Sequence, residues 1–184
     1  MINAALQEFV DQQRTRRRQA LQDLRRLSDE GAFNYDALGL VDKSRRGGQV
    51  KYLVDTSALI RLHRNRVSAV WDDLAERGLI AVCEPVLAEV MTLAEAKSYP
   101  ILNERILALH PWAAVPDGIW SLVTAIRREL VLPGAYQGVS VADLVVAATA
   151  IRLKLSVLHE DGGFETMARY VPELRQRRIS AGPE

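Results

Sequence analysis

Apolar residues near the start of the chain recur at helical spacing within an otherwise polar segment. This pattern predicts one long helix over residues 4–28, with a narrow apolar stripe along one side. The apolar positions of its second half are Ala20, Leu21, Leu24 and Leu27. The segment that follows, residues 31–48, is rich in small and polar residues and is typical of a tail or linker.

The pattern changes at Val50, where short β-type runs begin to alternate with helical stretches. The β-type runs lie at residues 52–54, 79–83, 112–115 and 155–158. The helical stretches lie at residues 57–77 in two pieces, 85–97, 101–109, 117–131, 140–153 and, as a short helix, 164–170. Such alternation is typical of a parallel sheet covered by helices. We therefore expect an α/β domain over residues 49–184, preceded by a helical arm and linker over residues 1–48.

The composition excludes several classes of protein. Hydrophobic residues make up 48% and charged residues 26% of the chain, as in ordinary soluble domains, so a disordered chain is not expected. The single cysteine, Cys83, cannot form a disulfide framework or a thiolate metal cluster. No apolar stretch reaches the roughly 18 residues that a membrane span needs. We therefore expect a cytoplasmic protein that has no membrane partner.

Three of four candidate acidic residues occupy positions at which a parallel sheet exposes its ligand crevice. Asp55 and Asp161 follow two of the β-type runs, and Asp143 opens a helix that is apolar on nearly every side. Glu89 lies at the margin of the apolar stripe of the helix predicted over 85–97. Carboxylates gathered in one cleft raise one another's pKa unless a divalent cation neutralises them, and oxygen ligands suit Mg²⁺ or Mn²⁺. Such a site can deprotonate water and stabilise charge on a phosphodiester.

Each of these acids also has a purely structural explanation when it is taken alone. Asp55 can cap the helix that follows it, and Ser140 with Asp143 matches the pattern of a capping box. Glu89 can reach solvent from the edge of its helix, and Asp161 can be a turn residue before two glycines. The functional interpretation rests on the convergence of three of the four positions, Asp55, Asp143 and Asp161, at one rim.

The net charge of +1 provides no strong positive field that would collect a nucleic acid. A nucleic-acid substrate would therefore be held by local arginines and by metal ions. Arg61, Arg64 and Arg66 follow the first acid and could contact phosphates, although a solvated surface explains them equally well.

Four stretches of sequence, in this order and at this spacing, resemble PIN-domain toxins of the VapC type. They are VDTSAL at 54–59, EPVLAEV at 84–90, SVADLVVAATA at 140–150 and VLHEDGGF at 157–164. The resemblance covers residues 50–178 and implies a PIN-like parallel sheet flanked by helices. It also implies a toxin of a toxin-antitoxin system that acts as a Mg²⁺- or Mn²⁺-dependent endoribonuclease and cleaves RNA with metal-activated water.

The resemblance assigns roles to individual residues. The family's four metal-binding and catalytic acids correspond to Asp55, Glu89, Asp143 and Asp161. Thr56 or Ser57 matches the hydroxyl position that supports the first acid. Relatives often carry a further Asp where this chain has Gly163, so the number of bound metal ions stays open. A homodimer is implied as well.

The N-terminal segment shows a second resemblance, to the C-terminal part of a VapB-type antitoxin. NAALQEFV at 3–10 resembles the last helix of a ribbon-helix-helix unit, and NYDAL at 34–38 with DKSRR at 42–46 resembles a tail that wraps a toxin. Arg45 or Arg46 could enter the acidic site and pair with its carboxylates, in the same chain or in a neighbouring subunit. The alternative is a misread start that joins the end of an upstream antitoxin gene to the toxin, whose partner is then an antitoxin in trans.

Two other functions remain open on the sequence alone. Phosphatases of the haloacid-dehalogenase type also place an Asp at the end of an early strand, but they usually carry an acid two residues later, where this chain has Ser57. A catalytically silent PIN-like scaffold that binds RNA or protein without cutting is the non-enzymatic alternative. Replacement of Asp55 by Asn distinguishes a loss of activity from a change in binding.

Overall fold

A computed structural model describes residues 2–32 and 50–182 of the protein, with the side chains of the first helix described from Gln7 onward. Most of the tail predicted after the first helix, including Arg45 and Arg46, lies outside the described residues. The strands are β1 (Tyr52–Val54), β2 (Ile80–Ala81), β3 (Ser156–His159) and β4 (Arg175–Arg178). The helices are α1 (Ile2–Asp29), α2 (Thr56–His63), α3 (Ala69–Glu76), α4 (Glu84–Met91), α5 (Tyr99–Leu109), α6 (Ile119–Val131), α7 (Val141–Leu153) and α8 (Gly162–Tyr170). A single 3-10 turn, Ile179–Ala181, follows β4.

The strands form one parallel sheet in the order β2-β1-β3-β4. β1 lies between β2, where Leu53 pairs with Ala81, and β3, where Val54 pairs with Leu158. Helices α2 and α7 pack against β3. The expected α/β fold with a parallel sheet and flanking helices is therefore confirmed. Because all strands run in the same direction, their carboxyl ends lie along one edge of the sheet, where α/β proteins bind ligands.

The central elements form where the sequence is continuously apolar. All three residues of β1 are buried, and so are the last three of β3. Helix α7 is buried along Leu144–Ala150, which explains why it has no polar face. Strands β1 and β3 and helix α7 thus hold the backbone next to Asp55, Asp161 and Asp143 in place.

Two predicted elements differ from those observed. The apolar run at 112–115 forms a single bridge through Trp112 rather than a strand, because a proline on each side of it lacks the N–H group that would extend a ladder. The helix predicted over 85–97 ends at Met91, and tighter backbone bonds between residues three apart follow it.

The sequence does not predict β4. Its residues are Arg, Gln, Arg and Arg, which show no alternation of apolar and polar side chains. The strand is formed by pairing with β3 at the edge of the sheet, and its register places Arg178 opposite His159. A charged edge strand thus reaches the same carboxyl edge as β1 and β3.

Helix α1 packs on a face formed by α2, α3 and α5. Its predicted apolar stripe is confirmed, since Ala20, Leu21, Leu24 and Leu27 are buried in the same apolar cluster as the sheet. In the first half of the helix, by contrast, Phe9 and Val10 are exposed. None of the described helices has both the length and the apolar character needed to cross a membrane.

Ion pairs flank this apolar contact. Guanidinium groups of α1 pair with carboxylates of α3: Arg14 with Asp73, Arg18 with Glu76 at 2.8 Å, and Arg25 with Asp72 at 2.6 Å. The docking of α1 is therefore both apolar and charge-complementary. We call the surface made by these three α3 carboxylates and the helices beneath the stripe the α1-docking face.

Candidate active site

Asp55 stands at the carboxyl end of β1 and begins α2. Its side chain accepts a hydrogen bond from the Ala58 N–H at 2.9 Å, as a helix cap does, and Ser57 Oγ lies 3.0 Å from each carboxylate oxygen. Only 6% of the residue is exposed. Burial raises the pKa of Asp55 to about 7, against these hydrogen bonds, and the charge of Asp143 raises it further. The helix cap and a functional role are thus both compatible with its position.

Glu89 is tied to the same strand end by a hydroxyl group. It is partly buried on α4, and its Oε2 accepts a short hydrogen bond from Thr56 Oγ1, on the first residue of α2. Glu89 therefore does not simply extend from its helix into solvent. Thr56, which follows Asp55 in the chain, thus links Glu89 to the strand end that carries the first acid.

Asp143 forms the capping box that the sequence suggested. Its Oδ2 accepts from the Ser140 N–H at 2.7 Å, and Ser140 Oγ accepts from the Asp143 N–H at 3.0 Å. The helix that it begins, α7, packs against α4, which carries Glu89. Asp143 is also close enough to Asp55 to raise the pKa of that carboxyl. Capping thus places this acid next to the buried one.

Asp161 follows β3 and caps α8. Its Oδ1 accepts from the Gly163 N–H at 2.6 Å, and the residue is exposed. A Cβ atom on residue 163 would lie 3.2 Å from this oxygen, so a side chain there would crowd the cap. At Gly163, the departure from the family pattern, a side chain would therefore require a small shift of the Asp161 carboxylate.

One hydroxyl links the two central strand ends. Ser57 Oγ accepts a hydrogen bond from the Glu160 N–H at 2.9 Å while its own hydroxyl is directed at the Asp55 carboxylate. Asp55 in turn donates its N–H to the Leu158 carbonyl at 2.9 Å. The strand end that carries Asp161 is thus bonded to the one that carries Asp55. Of the two hydroxyls expected to support the first acid, Ser57 bonds to Asp55, whereas Thr56 bonds to Glu89.

Residues 52–170 match the PIN domain family. The chain belongs to the PIN-domain family.

Curated relatives narrow the type of PIN domain. The chain is similar to Ribonuclease VapC6 of Mycobacterium tuberculosis (strain CDC 1551 / Oshkosh), with 30% identity over 106 residues that cover 57% of this chain and 84% of the relative. It is also similar to Ribonuclease VapC2 of the same strain, with 30% identity over 135 residues that cover 72% of this chain and 96% of the relative. This PIN domain is therefore of the VapC type.

Solved structures share its fold. The VapBC2 complex of Rickettsia felis bound to a promoter DNA fragment includes a chain that matches with a TM-score of 0.57 at 17% identity, covering 70% of this chain and 98% of that one. The DNA-bound VapBC complex of Salmonella typhimurium gives a TM-score of 0.57 at 20% identity, covering 71% and 98%. At these identities the likeness establishes the fold of the PIN domain.

The acidic residues that the structure describes in this PIN domain do not form a closed ligand cage. Among residues 2–32 and 50–182, no three His, Cys, Asp or Glu side chains converge as they would around a metal ion. The capping bonds of Asp143 and Asp161 and the Thr56 bond of Glu89 hold those carboxylates in place. An ion shared by three of the acids would therefore require side chains to rotate from these positions.

Two residues of the PIN domain near the site were not singled out by sequence reasoning. Glu160 precedes Asp161 and bonds to Ser57 through its backbone, and Arg178 of β4 donates to the Glu160 carbonyl at 3.1 Å. The sequence could have indicated Glu160, because it lies beside Asp161 after a β-type run. Arg178 gave no signal, because it belongs to a strand that has no apolar pattern.

Arg61 is one of the arginines that the sequence suggested as phosphate contacts. Arg61 on α2 approaches Glu160 at 3.8 Å, which places it beside the site. Two histidines lie away from the site, since His63 and His110 pack together under α1 with ring centroids 5.8 Å apart. His159 ends β3 at the carboxyl edge of the sheet and bonds to Gln176 at 2.7 Å.

Proposed function

We propose that this PIN domain is the metal-dependent endoribonuclease toxin of a type II toxin-antitoxin system. The observation that carries the proposal is Asp55, a carboxylate only 6% exposed at the carboxyl end of the central strand, which has no cationic partner among the described residues. Burial of an uncompensated carboxylate is unfavourable unless a cation or a proton neutralises it. The names of the curated relatives, Ribonuclease VapC, support RNA as the substrate.

The residues that would hold Mg²⁺ or Mn²⁺ are Asp55, Glu89, Asp143 and Asp161. Their donor atoms are all carboxylate oxygens, which these hard cations prefer to nitrogen or sulfur. The bound ion would supply positive charge against the phosphodiester and lower the pKa of a water molecule. Ser57 orients Asp55, and Thr56 fixes Glu89, so the chain's own hydroxyls keep two acids directed at the site.

The test is cleavage of a mixed RNA pool by the full chain with Mg²⁺ or Mn²⁺, with and without EDTA. Asp55→Asn should abolish cleavage, because Asn keeps the helix cap but loses the charge. Asp11→Asn is the matched control, since Asp11 is an exposed acid on α1 that bonds to Gln7. If Asp55→Asn leaves cleavage intact, the assignment of the site is wrong.

A silent RNA- or protein-binding scaffold is the alternative, and one observation favours it: the described side chains do not converge on an ion site. If the chain is such a scaffold, no form of it should cleave RNA in the presence of a metal ion. Asp55→Asn should then change the affinity for RNA rather than a rate. The cleavage assay above therefore separates the two functions.

We further propose that the segment of residues 1–48 is an antitoxin-like unit that restrains the nuclease domain of residues 49–184. Helix α1 docks through a buried apolar stripe and three ion pairs with α3. After the helix, the Ala32 carbonyl accepts from the Glu95 N–H at 3.2 Å, just beyond α4, which carries Glu89. The chain thus leaves α1 beside a helix of the site, and Arg45 or Arg46 is proposed to reach the acids in the same molecule or in a neighbour.

Deleting residues 1–48 would uncover the apolar face beneath α1, so a milder change tests the inhibitory arm. The double substitution of Arg45 and Arg46 by Gln keeps α1 in place and should raise the cleavage rate of the full chain. Lys43→Gln, in the same segment, is the control for a general loss of charge. An unchanged rate for the double variant would reject inhibition by these arginines.

A homodimer and an antitoxin acting in trans are the proposed partners. Solved structures that share the fold of this chain include VapBC complexes, and this supports an antitoxin partner. Exposed apolar side chains around α6 and the start of α7 supply a surface for a second copy: Trp120, Val131, Leu132, Tyr136 and Val141. Light scattering coupled to gel filtration, with Leu132→Ser as a variant, tests the dimer.

A further inference from the structure

A forked ion pair holds the turn that carries Asp161. Arg178 of β4 donates from Nε to Glu165 Oε1 at 2.5 Å and from Nη2 to Glu165 Oε2 at 3.0 Å. Its third nitrogen, Nη1, donates to the Glu160 carbonyl at 3.1 Å. One guanidinium therefore binds both sides of Asp161: the residue before it, and the first turn of the helix that it caps. A planar, bidentate pair of this kind fixes orientation as well as distance.

Arg178 is itself held on rigid backbone. It lies in register with His159 at the carboxyl edge of the sheet, and the next residue, Ile179, is buried. The Ile179 carbonyl accepts a hydrogen bond from Trp71 Nε1 at 2.7 Å, and Trp71 is fully buried on α3. The bidentate ion pair thus attaches the turn that carries Asp161 to a strand whose backbone is held in place.

Glu160 continues the contact to the buried acid. Its carboxylate accepts from the Ser180 hydroxyl at 3.0 Å and from the Ser180 N–H at 3.2 Å, and lies 3.5 Å from Arg178 Nη1. Its backbone N–H donates to Ser57 Oγ at 2.9 Å, and Ser57 is bonded to Asp55. An unbroken series of hydrogen bonds therefore runs from Glu165 through Arg178, Glu160 and Ser57 to Asp55.

This network is poorly suited to stabilising the fold as a whole. The side chains of Arg178 and Glu165 are 34% and 35% exposed, and ion pairs that solvent reaches this freely add little to global stability. Their geometry is nevertheless bidentate and shared among β3, β4 and α8. The contribution expected from such a pair is local: it limits how far the turn and its acid can move.

We propose that Arg178 is a positioning residue of the nuclease site, which holds Asp161 through Glu165 and Glu160 and holds Asp55 through Glu160 and Ser57. The inference rests on the proposed function, because it assigns Arg178 a role in shaping the acids that would hold the ion. Arg178 is not assigned to touch the ion or the RNA. All three of its nitrogens already donate within the network, Nε and Nη2 to the Glu165 carboxylate and Nη1 to the Glu160 carbonyl.

The test compares four full-length proteins: wild type, Arg178→Gln, Arg178→Lys and the matched control Arg175→Gln. Arg175 lies on the same strand but pairs with Ser156, at the opposite end of the sheet, and its side chain donates to the Lys154 carbonyl. Mn²⁺ affinity is measured by titration calorimetry, and the exchange of the Gly163 amide, which bonds to Asp161, by hydrogen-deuterium exchange. RNA cleavage supplies kcat and KM separately.

Arg178→Gln should weaken Mn²⁺ binding about tenfold, the lower end of what residues that orient metal ligands usually contribute. It should also speed exchange of the Gly163 amide and lower kcat more than it raises KM. Arg178→Lys, which keeps the charge but loses the fork, should recover only part of the affinity. Arg175→Gln should match the wild type in all three measurements.

Glu165→Gln separates positioning from direct RNA contact, because the two roles predict opposite results. If Arg178 positions the turn, the loss of its partner weakens Mn²⁺ binding as Arg178→Gln does. If Arg178 instead binds RNA phosphate, Glu165→Gln frees it and strengthens RNA binding, while Mn²⁺ affinity stays unchanged. That second result overturns the proposal.

Failure of the positioning role and failure of the proposed function give different results. A wild type that binds Mn²⁺ and cleaves RNA, with an Arg178→Gln variant of equal affinity and equal Gly163 exchange, rejects the positioning role alone. A wild type that neither binds Mn²⁺ nor cleaves RNA rejects the proposed function, and the positioning role falls with it.

Discussion

Two acidic surfaces of this PIN domain differ in whether their carboxylates form ion pairs. On the α1-docking face, Asp72, Asp73 and Glu76 each pair with an arginine of α1. On the carboxyl edge of the sheet, none of Asp55, Glu89, Asp143 and Asp161 forms an ion pair within the described residues; their partners are hydroxyl and backbone N–H groups. We call these four acids the carboxylate rim.

The two surfaces differ in whether the described residues supply a counter-charge for each carboxylate. A paired surface carboxylate costs little and adds a modest attraction. A buried carboxylate without a counter-charge is unfavourable, and Asp55 is nearly as inaccessible as the apolar residues around it. Residues 2–32 and 50–182 supply counter-charges for the α1-docking face and none for the carboxylate rim, which supports the proposal that the rim binds a cation.

Asp55→Asn should produce the largest effect and the clearest contrast between the surfaces. RNA cleavage should fall at least about a thousandfold, because the ion loses its most buried ligand. The free energy of unfolding in metal-free buffer should instead rise by about 1 kcal/mol, since Asn caps α2 without a buried charge. Cleavage assays and urea denaturation measure the two quantities. A variant that is less stable than the wild type would show that the Asp55 charge is compensated after all.

Leu24→Ala tests how firmly the docking face holds α1. Leu24 is completely buried, so its truncation should cost about 3 kcal/mol of unfolding free energy. Phe9→Ala on the exposed half of the same helix should change stability by no more than about 0.5 kcal/mol. If the proposed inhibitory arm depends on docking, Leu24→Ala should also raise cleavage by the folded protein. A loss below 1 kcal/mol would mean that α1 is only loosely attached.

Sequence reasoning was most successful where burial follows an apolar period. The stripe of α1 around Leu24 and the run that becomes β1 are such elements, and both are confirmed. It failed for β4, because a strand of Arg, Gln, Arg and Arg is stabilised by pairing at the sheet edge and carries no pattern of its own. The structure brings two of the four acids into contact with named hydroxyls that the sequence already suggested, Thr56 and Ser57.

Contacts between distant residues could not be predicted in the same way. The pairing of Arg25 with Asp72 joins residues 47 positions apart, and the bond from Trp71 to Ile179 joins residues 108 apart. Composition and periodicity hold no information about which of many arginines meets which acid. The ion pairs of the α1-docking face could therefore be identified only from the structure. Two acids of the carboxylate rim, Asp55 and Asp161, could be proposed from the sequence because each follows a β-type run.

The buried histidines beneath α1 predict a pH dependence that belongs to the docking face. Burial lowers the pKa of His110 to about 4, with Arg17 adding to the effect; burial, His110 and Arg25 lower that of His63. His110 donates from Nδ1 to the Ile80 carbonyl at 3.0 Å, so a further proton must enter at the buried Nε2, which lacks a partner.

The sign of this dependence follows from the lowered values. Both rings stay neutral in the folded protein, while the unfolded chain takes up protons below a pKa of about 6.5. Stability is therefore complete above that pH and falls as the pH drops towards 4. For His110 the loss between pH 7 and pH 5 should be about 2 kcal/mol. Urea denaturation at several pH values should show a shallower slope for His110→Gln than for the wild type, and equal slopes would contradict the burial of a neutral ring.

Asp72→Asn should give the smallest effect, and it completes the contrast with Asp55. Asp72 pairs with Arg25 at 2.6 Å, and the two side chains are 19% and 22% exposed, so the loss should be about 1 kcal/mol of unfolding free energy. Cleavage should stay unchanged or rise slightly if α1 loosens. The same chemical substitution thus stabilises the chain at the carboxylate rim and destabilises it at the docking face. Because both replacements are Asp to Asn and nearly equal in volume, opposite signs in one denaturation assay would support the difference in charge compensation between the two surfaces.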